Sequence, residues 1–339
     1  MMQHEEKELN ETVPLCNSKG LLNPESIGYA RSPLVRSNLK GQFMKKKRWN
    51  HWCVYGEDLL LSASIVHLDH KAICLIYILN YETQRFYEKH VTLPFARRVK
   101  MPEEALESIK FVHDDITVQL VHMQGETHLS VLIPDFDNEV LHADLHIIHP
   151  EKDESLNVVI PKNRDSFHFT SKHSIMPTGG YVRIGDRRYD FNPYYSFAVY
   201  DYGRGVWNTR TNWEWAMASQ RTSGKRVGLN FGGSWTDGTG LTENAVFVEG
   251  TMHKIHEDVL FESDKENPKS TWKIQTKFSD DIQLTFKPFF HSSTLDHYLV
   301  RKMSINQYVG YYHGKVRLPS GQVLPIRQML GSISERKYH

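Results

Sequence analysis

From residue 45 onward, apolar and polar residues alternate with a period of two. The runs 49–55, 59–68, 72–81 and 86–93 follow one another. Between the first three stand Gly56-Glu57-Asp58 and Asp69-His70-Lys71, polar breaks of hairpin length. A period of two sends successive side chains to opposite faces of a strand, so these runs predict an antiparallel meander. The rhythm continues through 116–122, 128–133, 140–148 and 156–160. A hairpin over 181–184 and 187–191 turns at Gly185-Asp186. Further strands are predicted at 228–231, 244–249, 252–256, 272–278, 282–286, 299–305, 311–318 and 323–330. Helical periodicity is nearly absent. The best short helix is 101–108, with Pro102 early and Glu103 and Glu104 in the first turn, and 212–219 is a weaker one. So many strands leave many edges, and closure removes them. The pattern therefore predicts an all-β chain: two antiparallel barrels packed together or a large curved sandwich. The expected break lies near residue 195, between a first barrel over 45–195 and a second over 196–339. Residues 1–44 have scattered turn formers and little periodicity, and read as an extended arm.

Composition narrows the function classes. At 339 residues the chain suits two domains or one large double-layered body. A formal net charge of +1 argues against nucleic-acid binding, which rests mainly on neutralised phosphates. The basic run Lys45-Lys46-Lys47-Arg48 beside Trp49 reads as a solvated strand start. The polar, acidic N-terminus is not a secretory signal, and no apolar run approaches the ~20 residues that span a bilayer. The cysteines are three, an odd number without metal-ligand spacing, which fits a reducing cytoplasm.

Nineteen histidines invite a metal reading. His142 and His146 sit in a predicted strand, where four residues span ~13 Å, and on that spacing no metal is expected. Gly203-Arg204-Gly205 and Gly238-Thr239-Gly240 lack a complete nucleotide-loop pattern, and no nucleophile elbow occurs, so no cofactor is expected either. What stands out is 197–245, where four of the seven tryptophans gather: Trp207, Trp213, Trp215 and Trp235. Carboxylates lie among them. Asp201 sits between Tyr200 and Tyr202, while Asp237 and Glu243 flank a Gly-Thr-Gly turn that would bring them together. A carboxyl in an aromatic pocket has its pKa raised by desolvation and can donate a proton, while ring faces stabilise developing positive charge. Arg204 offers the opposite outcome, a salt bridge that keeps Asp201 ionised. Asn230, Thr242 and Asn244 either orient a ligand or tie down loop backbone.

These segments carry a resemblance. Trp49-Asn-His-Trp52, Asp201-Tyr-Gly-Arg-Gly-Val-Trp207, Thr211-Asn-Trp-Glu-Trp-Ala216 and the run from Gly228 to Asn244 resemble a bacterial family known only as a domain of unknown function. The likeness covers nearly the whole chain. A weaker likeness, resting on Tyr181 to Asp190, Trp272-Lys-Ile274 and Gln307 to Val316, is to the carotenoid hydratase (hydroxyneurosporene synthase) and tocopherol cyclase superfamily. That resemblance implies a pair of lipocalin-like (calycin) barrels with a ligand cavity, to which Asp201, Tyr202 and Trp207 are the matching positions. The expected function is binding of a hydrophobic small molecule, with Asp201, Asp237 or Glu243 as donor in acid-assisted hydration, isomerisation or cyclisation. A lipid or isoprenoid carrier without turnover, and a sugar or polar-ligand module, are the alternatives.

Overall fold

A computed structural model describes residues 6–96, 99–163, 165–207, 211–264, 266–298 and 301–338. Two compact units divide the chain: Leu9–Trp207, and Asn208–His339 together with Met1–Glu8. Both are built from antiparallel sheets curled into half-barrels of lipocalin-like form, as the alternating pattern predicts.

The sheet of the first unit runs in the order Phe86–Pro94, Lys71–Asn80, Leu59–His67, Lys46–Tyr55, Phe197–Val206, Ser166–Ile184, Glu139–Ile148, Glu126–Phe136, Ile116–Met123 and Ile109–His113. Leu156–Asn163 pairs with the long strand Ser166–Ile184 and also with Gly28–Ala30 from the N-terminal segment. Alternation fills the interior. Trp52, Val54, Leu61, Ile65, Leu129, Val131, Leu145, Phe169, Tyr200 and Tyr202 lie in one apolar core. Phe197–Val206, which the sequence pattern assigned beyond the break, is a central strand of this first sheet, paired along its length with Lys46–Tyr55. Leu9, Leu15, Cys16 and Leu22 of the N-terminal segment are buried in the same core.

The second unit's sheet orders Thr251–Lys254, Ala245–Val248, Lys225–Gly233, Trp213–Thr222, Val323–Tyr338, Arg301–Arg317, Ile282–Tyr298, Trp272–Thr276 and Val259–Glu262. Its core takes Ala216, Ala218, Leu229, Phe231, Ile274, Phe286, Tyr312 and Ile333. The expected strand start at Leu299, and residues 1–5 of the arm, lie outside the described residues.

Neither predicted helix forms. Residues 101–108 make an irregular turn because their backbone is spent elsewhere. The Pro102 and Glu103 carbonyls accept hydrogen bonds from Arg204 and Tyr202 inside the first barrel. A helix would withdraw those carbonyls into its own ladder. Residues 213–222 form a strand paired on both sides, which places Trp213, Trp215 and Met217 on one face and the core alanines on the other. Among the described residues no helix is long and apolar enough to cross a membrane.

Candidate functional site

Strand alternation splits the segment around Asp201 between two faces. Tyr200, Tyr202 and Arg204 point into the first barrel; Asp201, Gly203 and Gly205 occupy the opposite face. Arg204 is three residues from Asp201 and on the other face, so the expected salt bridge between them does not form. The guanidinium is 1% exposed. It lies 3.6 Å from the Tyr202 ring centroid and donates to the carbonyls of Trp49, Gly203 and Pro102 and to Asn50 Oδ1. Those five-donor contacts satisfy a cation that burial alone would penalise, and they make Arg204 a fixture of the interior. The Tyr202 hydroxyl donates to the Glu103 carbonyl at 2.7 Å.

On the opposite face, registers assemble a polar row. Lys172 pairs with Asp201, Asp201 with His51, and His51 with Ser64, across four adjacent strands. Lys172 Nζ lies 2.9 Å from Asp201 Oδ1, with 5% and 8% of the two side chains exposed. Thr170 donates to Asp201 Oδ1 at 3.0 Å, and Trp49 Nε1 donates to Oδ2 at 2.7 Å. His51 Nδ1 is 2.6 Å from Ser64 Oγ.

Above this row Trp49, His168 and Trp207 form an aromatic cluster. The two indoles meet edge to face at 5.8 Å, and His168 is 5.1 Å from each. Glycine makes the cluster possible. A Cβ on Gly203 would lie 2.0 Å from the Trp49 ring, and one on Gly205 would lie 2.6 Å from the Trp207 ring. Lys47 Nζ stands 4.8 Å from the Trp207 ring centroid and donates to the Trp207 carbonyl at 2.5 Å.

The electrostatics correct one expectation. Burial alone would raise the Asp201 pKa, but the Lys172 ammonium, His51 and the Trp49 N–H outweigh it and hold the carboxyl below its ordinary value. Asp201 is therefore a fixed anion rather than a protonated acid. His51 is pushed down to about 4 by burial, opposed by Asp201 and assisted by Lys172, and His168 to about 3 by burial. Both imidazoles are neutral at physiological pH.

The remaining candidates fall in the second unit and divide by role. Trp215 Nε1 donates to Asn230 Oδ1 at 2.8 Å, on the sheet face turned from the core. Asn230 in turn donates to the Glu243 carbonyl, and Asn244 accepts from Gly232 N and donates to the Glu257 carbonyl. These amides tie down backbone. Thr242 and Glu243 are buried beside Lys254, whose Nζ lies 2.6 Å from both Thr242 Oγ1 and Glu6 Oε1. Asp237 is exposed at its turn, Trp235 is half-buried, and Trp213 lies 5.8 Å below the Arg336 guanidinium. Asp237 and Glu243 thus occupy different environments, the one exposed and the other buried with a cation.

Two cavities in the first unit are polar. One of about 190 Å³ is lined by Ser37, Arg48, His67, Glu103 and Arg204; the other, about 410 Å³, by Glu57, Asp58, Asn80, Glu82 and Arg188. Neither is lined by the candidate tryptophans, and the first is smaller than a usual ligand pocket. Of the partners that make Asp201 unusual, Lys172 and His168 carry no signal in the sequence, and Trp49 and His51 show only as part of Trp49-Asn-His-Trp52, with nothing to link them to Asp201. Only cross-strand register reveals them.

By sequence, no curated protein matches the chain. Among solved structures the fold is similar to that of CghA, at TM-score 0.51 and 9% identity over 93% of this chain and 97% of that one. Kievitone hydratase from Nectria haematococca gives 0.50 and 9%, over 91% and 97% of the two chains. A putative AttH from Nitrosomonas europaea gives 0.54 and 7%, over 95% and 98%. At these identities the likeness is one of fold, and that fold is the lipocalin-like arrangement the strand pattern and the resemblance imply. By its sequence, matched from residue 6 to residue 339, the chain belongs to the family described as a domain of unknown function, DUF2804.

Proposed function

We propose that the chain binds an uncharged, largely apolar small molecule against the Trp49–His168–Trp207 cluster and performs cofactor-independent proton transfer on it. Hydration, isomerisation and cyclisation are the reactions this chemistry suits. The observation that supports the reading is the row Lys172–Asp201–His51–Ser64 beneath three aromatic rings. A buried ion pair returns little net stability after its desolvation cost, so a pair kept among aromatic rings is a candidate for chemistry. Neutral His51 takes the proton from the attacking water or from a substrate carbon, Asp201 beside it stabilises the imidazolium that forms, and the imidazolium returns that proton to the neighbouring carbon. Lys172 donates to a developing anionic oxygen, and the indole faces favour positive charge on carbon. Asp201 acts in this scheme as an anion; Asp237 and Glu243 take no step. The shared fold of kievitone hydratase, a hydratase by name, agrees with the reaction class.

A second reading, binding without turnover, is favoured by the completeness of the Asp201 shell. Lys172, Thr170 and Trp49 already occupy both oxygens. The two readings separate when wild type, His51→Ala and Asp201→Asn are incubated with a panel of apolar alkenes and enones. Mass spectrometry then scores addition of water or isomerisation. Turnover by wild type that falls about a hundredfold or more in His51→Ala, with binding kept, supports the enzyme. Binding by all three proteins without any product supports the carrier. No binding by any of them refutes both.

A further inference from the structure

The hairpin Glu126–Phe136/Glu139–Ile148 buries Leu129, Val131, Leu141, Ala143 and Leu145 on one face. Its other face carries His128, Asp144 and His146. His128 and His146 are direct partners in the antiparallel register. Their rings stack at 4.7 Å with an interplanar angle of 16°. Asp144 Oδ1 lies 2.8 Å from His128 Nε2 and 3.6 Å from His146 Nε2. One ligand atom from each of the three residues falls within 4.8 Å of the others. An ion about 2.0–2.1 Å from tetrahedral ligands sets neighbouring ligand atoms about 3.3 Å apart, a value the two measured separations straddle.

An independent feature points the same way. Glu126 Oε1 is 3.1 Å from His146 Nδ1. A carboxylate can only accept, so Nδ1 carries a hydrogen, and in the neutral ring Nε2 is the acceptor on the side of the Asp144 oxygen. In that tautomer a cation between the two acceptors satisfies both. A carboxylate that fixes the outer nitrogen of an imidazole is also the arrangement that orients histidine ligands to metals.

We propose that His128, Asp144 and His146 form a binding site for a zinc-class divalent cation, with Glu126 as the residue that positions His146. Two imidazoles and one carboxylate suit a borderline transition ion and not the all-oxygen preference of magnesium or calcium. Three protein ligands leave a fourth position for water. The site is separate from the Asp201 row. It escaped the spacing argument because its histidines face one another across two strands rather than along one.

Titration calorimetry of the full chain with zinc chloride tests this, beside His128→Ala, His146→Ala, Glu126→Gln and His142→Ala as a control on the same strand. The side chains are each about a third exposed or more, so the variants should keep the fold, which circular dichroism checks. The expected result is one equivalent of zinc bound by wild type and the control, and none by His128→Ala or His146→Ala. Glu126→Gln should weaken binding about 10–100-fold. Equal zinc binding by wild type and both histidine variants would overturn the site, as would no binding by wild type.

Discussion

Lys172 and Asp201 are direct partners across antiparallel strands, and their charged atoms meet at 2.9 Å in an interior that water hardly reaches. Removing one charge leaves the other buried and alone, at a cost of about 3–5 kcal/mol. Asp201→Leu and Lys172→Met should each lower the unfolding free energy by that amount, as read from urea titrations. The double variant should recover most of the loss, because no charge is then stranded. Additive losses in the double variant would mean that the two side chains stabilise the fold independently.

Acid should destabilise the protein well before its carboxylates titrate. His51 is pushed down to about 4, and His168 and His173 to about 3, from an ordinary 6.5. A histidine that stays neutral when folded binds its proton only when unfolded. The unfolded state therefore holds more protons below 6.5, and stability falls as pH drops from there toward the folded values. By about pH 5 the loss is about 2 kcal/mol for each such histidine. Asp201 contributes in a lower window. Its folded pKa lies below its ordinary 3.8, so its stabilisation is complete above 3.8 and is lost as pH falls through the folded value. Urea midpoints measured across this range should fall steadily from neutrality; a flat profile down to about pH 4 would contradict the burial of these imidazoles.

Gly203 is where the aromatic cluster is most sensitive to a single carbon. With 2.0 Å between a new Cβ and the Trp49 ring, Gly203→Ala must displace the indole and its hydrogen bond to Asp201. Overpacking of this kind costs about 1–3 kcal/mol. Near-UV circular dichroism should change in the tryptophan region, and an unchanged spectrum with wild-type stability would place Trp49 elsewhere in solution.

Within the second unit, Glu6 is paired with Lys254. Both side chains are almost wholly buried, and the pair is supported by Thr242 and by His256 at 3.5 Å. Glu6→Gln should cost about 3 kcal/mol through the stranded ammonium. Removing residues 1–8 should cost no less. A truncated chain with the full-length thermal midpoint would contradict the role of this segment.

Much of the fold is legible in the period-two pattern, because most strands bury one face and wet the other. Ser166–Ile184 is the instructive miss. His168, Thr170, Lys172 and Ser174 put polar groups on a face that is buried all the same, so the strand shows no contrast between inside and outside. The turn at 101–108 is misread as a helix because its local signals are outweighed by Arg204 and Tyr202, which need its carbonyls. The site was half legible. Asp201 and Trp207 stand out by their neighbours in the chain, but Trp49 lies 152 residues from Asp201, and pattern alone cannot bring them together. The same limit hid His128 and His146, which meet only through the hairpin register.

Native mass spectrometry of freshly purified protein, followed by solvent extraction, tests the central proposal most directly. Wild type should release an apolar molecule, or capture one from a panel of isoprenoids and other alkenes. Trp207→Ala, which removes one wall of the aromatic cluster, should lose it. A wild-type chain that is empty and refuses the whole panel would contradict the account, as would a Trp207→Ala chain that binds equally well.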